Sequence, residues 1–542
     1  MNANKHRSRL AAVALLCAAV GTGGCAPSTD LPDYVAGGGE DDGGELIMLG
    51  SKSDPTTCDA AARARSYLGC DFWPTVTFNA AWSTFDFAVV IANVGAEPAE
   101  VTVSGAEGLI VSRTVEPLDV ATITLPWIPE LKGPDSDVCG IPTLPKGSVA
   151  ATRGAFHITS SRPVIAYQFN AIEYRGAGGP PDKDWSACPG LQTCSPAGGP
   201  PGPVGCFSFS NDASILLPTS AMTGNYRVPA LDDAGGPAFL AVTGTQDGTT
   251  VTVHFSKEAS VLPGGPITSL SGEVVSFQLD AGDVVEVAGD GAGDLGGSRV
   301  QADKPVQVIA GSSCSQITQD PLKISSCDHL EESVQPAETL GRRYLLAAPT
   351  GPLGGPNPYR VRLFGNVDGT ALTYPAGAPP NAPFSINAGE VADLGILEGD
   401  LEIVGDHELL IATFLVSAEV ANPDDFLQHG DPSQSQAVSV EQFRTSYVFL
   451  APDDYDVSFV DVILPEGASV KLDGAPLPGA PTPIGGSGFG VARVRLGAGR
   501  AGAHVLHADM PVGVQVIGYG AFTSYQYPAG LDLAEIAPPP PR

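Results

Sequence analysis

His504 and His507 stand three residues apart. Metal ligands must share a face, and positions i and i+3 of a strand point to opposite faces. This pair is therefore not expected to hold an ion. His157, His254, His329, His407 and His429 stand singly, without ligand spacing, and read as structural histidines. Gly291, Gly293 and Gly296 match the pattern GxGxxG. A dinucleotide site needs a helix directly after such a loop, so that its N-terminus meets the pyrophosphate. Here Ser298-Arg299-Val300 reads as the start of a strand, and Asp290 and Asp294 would repel phosphate. The loop is read as a Gly-rich hairpin. Neither HExxH nor GxSxG occurs. Glu40-Asp41-Asp42 lacks the ordered spacing of a calcium loop and reads as a solvated charge run. Acids are plentiful enough that two could meet as a glycosidase pair. The expectation is nonetheless a chain with no catalytic residue, no cofactor and no metal.

The cysteines carry more information. The N-terminus holds Lys5, Arg7 and Arg9, then an apolar run from Leu10 to Val20, too short for an ordinary membrane span. Thr22-Gly23-Gly24-Cys25 follows and resembles a bacterial lipoprotein lipobox. The resemblance implies that the Cys25 thiol receives a diacylglycerol and that Cys25 becomes the new N-terminus. The usual Leu three residues before the cysteine is missing, and the alternative is an ordinary secretory signal peptide cut nearby. Cys17 falls in the apolar run. Eight cysteines remain: Cys58, Cys70, Cys139, Cys188, Cys194, Cys206, Cys314 and Cys327. An even number in an exported chain predicts disulfides. Cys58 with Cys70 and Cys314 with Cys327 are the short-loop candidates. The other four surround a long loop, and their pairing is left open.

The chain that positions these residues has 542, with 66 Gly and 49 Pro. That many turn formers, with short runs rich in Val, Thr, Ile, Phe and Tyr, predicts an all-β fold. The formal net charge is −32, which should repel phosphate backbones and argues against nucleic acid as a partner. One signature organises the rest. Ala302-Asp303-Lys304-Pro305-Val306 opens what reads as a buried strand, and related stretches recur at Ser160–Val164, Gly405–Leu409 and Ala508–Val512. Asp303, Asp406 and Asp509 are spaced by 103 residues, as are Tyr344 and Tyr447. Turn signals repeat in the same order: Asp247-Gly248 and Asp368-Gly369, then Ala281-Gly282 and Ala388-Gly389. A fixed period means an array of one unit. Short alternating strands make that unit β-sandwich-like, so the expected fold is a tandem of β-sandwich-like repeats of about 100 residues.

The expected organisation is a signal peptide at 1–24 and a flexible acidic Gly-rich tether at 25–50. β units follow at 51–174, 207–335, 336–440 and 441–533. A Gly/Pro/Cys-rich insertion at 175–206 interrupts them, and a Pro-rich tail occupies 534–542. A loop as long as the insertion is commonly functional or disordered, which makes it the first place to look for a binding surface. Near the C-terminus Tyr519, Phe522, Tyr525 and Tyr527 cluster. They either plug the last unit, the reading taken first, or form a platform for glycan or protein contact.

SNDASILLP, CDHLEESVQP with LGRRYLLAAP, GDPSQSQ with VEQFRTSYVFLAP, and GYGAFTSYQYPAGLDL resemble, in that order, the N-terminal region of the IgGFc-binding protein family. The resemblance runs from about Phe85 to Leu533. Animal members are large mucus proteins with cysteine-rich von Willebrand-type domains, which this chain lacks. Kinship of modules does not fix a ligand. The expectation is a non-catalytic, exported cell-envelope lipoprotein, held to an outer membrane or cell surface by lipid. It would serve in adhesion or in binding an extracellular protein or glycan. The alternatives are a secreted protein, a carbohydrate-binding scaffold associated with a hydrolase, or a structural envelope component.

Overall fold

The computed structural model describes residues 54–540, apart from 106–107, 181–182, 196–200, 233–234, 269–272, 319–326, 424–428, 453, 498 and 500–501. The signal segment, Cys25 and the tether lie outside the described residues. Strand makes up 46% and helix 6%, so sheets alone organise the molecule. After a short helix, α1 (Cys58–Ala64), the first unit contains β1 (Gly69–Phe72), β2 (Phe87–Asn93), β3 (Ala99–Ser104), β4 (Ile110–Val115), β5 (Asp119–Leu125), β6 (Val149–Ala151), β7 (His157–Asn170) and β8 (Asp212–Ile215). The second contains β9 (Asn225–Arg227), β10 (Ala238–Gly244), β11 (Thr249–His254), β12 (Val261–Leu262), β13 (Val274–Leu279), β14 (Val284–Gly289), β15 (Arg299–Ala302), β16 (Val306–Ser315) and β17 (Asp328–Ser333). The third runs through β18 (Arg343–Leu346), β19 (Tyr359–Gly365), β20 (Thr370–Thr373), β21 (Ser385–Ile386), β22 (Val391–Leu397), β23 (Leu401–Gly405), β24 (Leu409–Leu415) and β25 (Gln434–Gln436). The fourth has β26 (Arg444–Leu450), β27 (Val457–Pro465), β28 (Val470–Leu472), β29 (Ala475–Pro476), β30 (Thr482–Pro483), β31 (Phe489–Arg495), β32 (Ala503–Gly520) and β33 (Thr523–Pro528).

Local sequence explains these strands. In β11, Val251 and Val253 are buried while Thr250 is exposed, the period-two pattern of a strand covered on one face. The preceding turn needs positive φ at Gly248 (64°), and its counterpart needs it at Gly369 (71°). The four units then share one topology. The first ladder has order β13-β11-β15-β9 in the second unit, β21-β20-β23-β18 in the third, and β29-β28-β32-β26 in the fourth. The second ladder has order β14-β10-β16-β17, β22-β19-β24-β25 and β31-β27-β32-β33. The first unit repeats both through β7, which pairs with β3 and β1 in one half and with β2 and β8 in the other.

The repeating signature is the corner where the chain passes from one ladder to the other. It is more than the start of a strand. In the second and third units the corner breaks the chain into β15 and β16, and into β23 and β24. In the first and fourth units it lies inside the continuous β7 and β32. Pro163 and Pro511 fall between the two ladders, where a missing N–H loses no pairing. The acidic residue has a defined task. Asp303, Asp406 and Asp509 each accept, through Oδ1, the backbone N–H of Thr250, Ala371 and Ser469, all at 2.8 Å. Each also donates its own N–H to the same residue's carbonyl at 3.1 Å. In the first unit Ser161 takes the place of Asp, its Oγ accepting from Glu100 N at 2.9 Å.

A tyrosine locks each of three corners from the other side. Tyr226, Tyr344 and Tyr447 donate their hydroxyls to the carbonyls of Val306, Leu409 and Val512, at 2.6, 2.6 and 2.5 Å. Each hydroxyl accepts a backbone N–H from three residues earlier, at Thr223, Gly341 and Arg444. Burial raises all three phenols above their ordinary range.

The units form a four-bladed, propeller-like arrangement. The last strands of the blades, β8, β17, β25 and β33, meet around a central axis and are buried along their lengths. Most of their side chains are polar, and hydrogen bonds tie the strands together across the axis. Asp212 on β8 accepts from Glu331 N on β17 at 3.0 Å and from Gln434 N on β25 at 2.9 Å. Asp328 on β17 accepts from Asn211 N at 2.6 Å and from Thr523 Oγ1 on β33 at 2.9 Å. Gln436 donates to Ser333 O at 2.7 Å, and Gln526 on β33 donates to Ser433 O at 2.7 Å, which closes the ring. Burial pushes the Asp212 and Asp328 carboxyls well above the usual range, and the neighbouring carboxylates of Glu331 and Asp431 add to the shift. The four stretches that carry the family resemblance are these axial strands with their flanks.

Candidate binding surface

The departure from the repeat lies between β7 and β8. Cys188 pairs with Cys206 inside the insertion, and Cys194 pairs with Cys139, fixing the insertion to the segment that follows β5. The short-loop cysteines pair as Cys58–Cys70 and Cys314–Cys327. A small core of its own sits under the insertion, formed by Trp82, Phe85, Ala171 and Cys188, with Trp185 and Phe209 against it. Gly190 allows the close approach: a Cβ there would lie 2.0 Å from Gly205 O and 2.4 Å from the Trp82 ring. Lys183 anchors the first half, at 2.7 Å from Glu173 Oε1 and 2.9 Å from Asp86 Oδ2, with its ammonium 4.3 Å from the Trp185 ring centroid. Two short stretches of the insertion lie outside the described residues.

Two features make this region a surface able to bind. Val138, Ile141 and Leu144 in the segment after β5, and Leu191 in the insertion, expose apolar side chains within five residues along the chain of Cys139 or Cys194. Next to it a groove of about 490 Å³ runs between β5, the loop 177–180 and the end of β26. Asp454 lies on its wall, accepting from Tyr174 N at 3.1 Å. Burial pushes its carboxyl up to about 7; the Tyr174 N–H opposes the shift, Glu173 adds to it, and Arg175 opposes it.

The C-terminal aromatics are placed elsewhere than on a platform. Tyr519, Tyr525 and Tyr527 are at most 1% exposed, and Phe522 is partly buried. Tyr527 packs on Tyr167 at 4.9 Å and Tyr525 on Tyr455 at 4.7 Å, in the joint between the first and last blades. The platform reading is thereby corrected. Tyr525 and Tyr527 bury on both sides because β33 is an axial strand, and Tyr519 is buried on β32 beside it. His504 is buried with Nδ1 2.8 Å from Asp473, while His507 faces outward with Nδ1 3.2 Å from Ser446 Oγ. Among the described residues, no three His, Cys, Asp or Glu side chains stand together as a metal site. The glycine pattern at 291–296 joins β14 of one ladder to β15 of the other, so it is a crossover loop and not the expected hairpin. It docks on the third blade through Asp294 and Arg362.

The groove and the buried axis were both missed in the sequence. The short stretches that open at Asp212, Asp328 and Gln434, rich in Asp, Glu, Ser and Gln in a chain of apolar strands, were a usable signal for the axis. No local signal marks the groove, because its walls come from segments hundreds of residues apart.

A family model described as IgGFc binding protein matches residues 212–518, from the first axial strand into β32. The human (Homo sapiens) IgGFc-binding protein is 25% identical over 339 residues, which are 61% of this chain and 6% of that relative. The chain therefore spans a small part of the relative's length. Among solved structures, a tetra-tandem repeat from the extending region of a large adhesion protein is 10% identical over 86% of this chain and 99% of the other, with a TM-score of 0.09. A Ca²⁺-stabilised adhesin with which an Antarctic bacterium binds ice is 14% identical, over 84% and 98%, with a TM-score of 0.09. At those scores neither superposition bears on fold or function.

Proposed function

The chain belongs to the IgGFc-binding protein family, and on that premise we propose that it is an exported, non-catalytic binding protein. It is anchored to the cell envelope through a lipid on Cys25, and its partner is an extracellular protein or glycan. The observation that carries the reading is the disulfide-stapled insertion, which breaks the repeat at one place and, together with the segment after β5 to which it is fastened, exposes four apolar side chains on a strongly acidic molecule. Exposed apolar groups gathered in one place mark interaction sites. Four disulfides support an oxidising compartment outside the cytosol.

Two experiments test this. The Cys25→Ser chain should leave the membrane fraction; retention there removes the lipid anchor. The full chain, immobilised, should capture a component from a panel of surface proteins, polysaccharides and immunoglobulin Fc, with no turnover of glycoside or peptide substrates. Replacing Val138, Ile141 and Leu191 with Ser should abolish that capture without lowering the melting temperature. Capture that survives the triple substitution places the partner elsewhere.

A further inference from the structure

The second ladder of each blade ends in a strand with one free side, and the four blades treat that edge differently. In the second blade β14 is covered by β6, pairing Val284 with Ala151 and Glu286 with Val149, and by β12. In the fourth blade β30 pairs with β31. In the third, β22 has no covering strand among the described residues. It is broken instead by a bulge at Asp393–Gly395, with Gly395 at φ 75° and Asp393 held by Arg360. Covering strands, bulges and charges are the usual ways of blunting an edge.

β5 has no covering strand among the described residues and no bulge, and its one charge, Asp119, sits at its first position. It pairs with β2 in unbroken register from Asp119 to Leu125, and no strand among the described residues lies on its other side. It contains no Lys, Arg, Pro or Gly. Every second residue of such a strand turns its N–H and C=O outward. The groove beside the insertion lies along this edge. Thr122, Ile123 and Thr124 all line it, although the Ile123 side chain is buried in the blade. Successive side chains of a strand point to opposite faces, so three in a row share one space only through the strand's edge. Val111 and Leu450 supply apolar walls.

We infer that β5 accepts an extended segment of a partner protein as an added antiparallel strand. The segment is small and β-branched at its centre and basic at its ends. Main-chain pairing supplies affinity in this mode, and flanking pockets supply specificity. The chain contains its own example: β6, Val149–Ala151, lies between Lys146 and Arg153 and adds to the equivalent edge of the second blade. Basic ends suit an acidic molecule whose groove carries two carboxyl side chains, Glu173 and Asp454, against one guanidinium, Arg113. This inference rests on the insertion face being the binding surface and names the class of partner it takes.

The probe is a capped synthetic peptide with the sequence Lys146–Arg153, offered to the full chain. Binding should slow amide exchange at Asp119–Leu125. Two N-methylated versions separate pairing from mere stickiness: methylation at positions 148, 150 and 152, or at 147, 149 and 151. One set faces β5 and should weaken binding at least tenfold; the other should bind like the parent. Absence of parent binding overturns the inference. So does protection at Val284–Gly289 in place of β5, or equal binding by both methylated peptides. Capture of a surface component by the Proposed function assay, together with any of those results, leaves a binding protein that does not add a strand.

Discussion

Asp303 and Thr250 exchange two hydrogen bonds across a ladder corner: Asp303 N donates to Thr250 O at 3.1 Å, and Thr250 N donates to Asp303 Oδ1 at 2.8 Å. The second bond caps a donor that the ladder leaves over when the chain turns to the other sheet. This is why the acid recurs every 103 residues. Asp303→Ala should lower stability by about 1 kcal/mol, whereas Asp303→Ser, which copies Ser161, should recover most of it. Differential scanning calorimetry of the two variants checks this; equal losses would show that the side-chain acceptor is not the reason for the acid.

The tyrosine on the far side of the corner is worth more because its hydroxyl is buried and joins two backbone groups at once. Tyr447→Phe leaves the Val512 carbonyl and the Arg444 N–H without the hydroxyl that joins them. The expected cost is about 1–3 kcal/mol, read in urea unfolding. Tyr344→Phe should cost a similar amount, since its geometry at Leu409 is the same.

The axis should behave as a common support for all four blades. Asp212→Ala removes the acceptor for Glu331 N, Gln434 N and Ser433 Oγ at once. A loss of roughly 3–5 kcal/mol is expected, with amide protection falling in β17 and β25 as well as β8. Loss confined to β8 would mean that the ring is not a shared element.

Asp454 sets a pH dependence. Its folded carboxyl is pushed up to about 7, mainly by burial, from an ordinary value of 3.8. The folded state therefore binds a proton that the unfolded chain has already lost at intermediate pH. The contribution is fully present below about pH 4 and is lost as pH rises through about 7. At pH 8 the penalty is on the order of 4 kcal/mol. Asp454→Asn should thus raise Tm at pH 8 and leave it little changed at pH 4. A variant no more stable than the parent at pH 8 would contradict the burial of this carboxyl.

The Cys188–Cys206 bridge closes a loop with a sequence separation of 18 residues. Replacing both cysteines with Ser should cost about 3 kcal/mol and should act on the insertion. Limited proteolysis is expected to cut within 175–206 first and leave the blades intact. Cleavage spread evenly over the chain would show that the staple supports the body.

Much of the blade was legible in the sequence because strand period, turn glycines and the recurrence of Asp303, Asp406 and Asp509 are local features. The strand at Phe87–Asn93 and the hairpin at Asp247-Gly248 needed only neighbours to specify them. The pairs Cys58–Cys70 and Cys314–Cys327 were readable from short separation; Cys139–Cys194 was not, because its partners meet only after the insertion folds back on the first blade. The same limit applied to the aromatics. Tyr525 and Tyr527 alternate with polar residues, a pattern equally suited to an exposed edge or to an axis buried on both faces.

The sequence by itself determined an all-β array, its unit length and the places where each unit turns. Each of these depends on residues a few positions apart, or on one pattern copied along the chain. Tertiary structure alone decided that the copies close around four polar strands, that the C-terminal tyrosines lie inside, and that β5 keeps an uncovered edge while β14 does not. Whether an edge is covered, or an aspartate buried, depends on which distant segment packs there. Asp212 meets Gln434 across more than 200 residues of chain, and no local pattern in either stretch names the other.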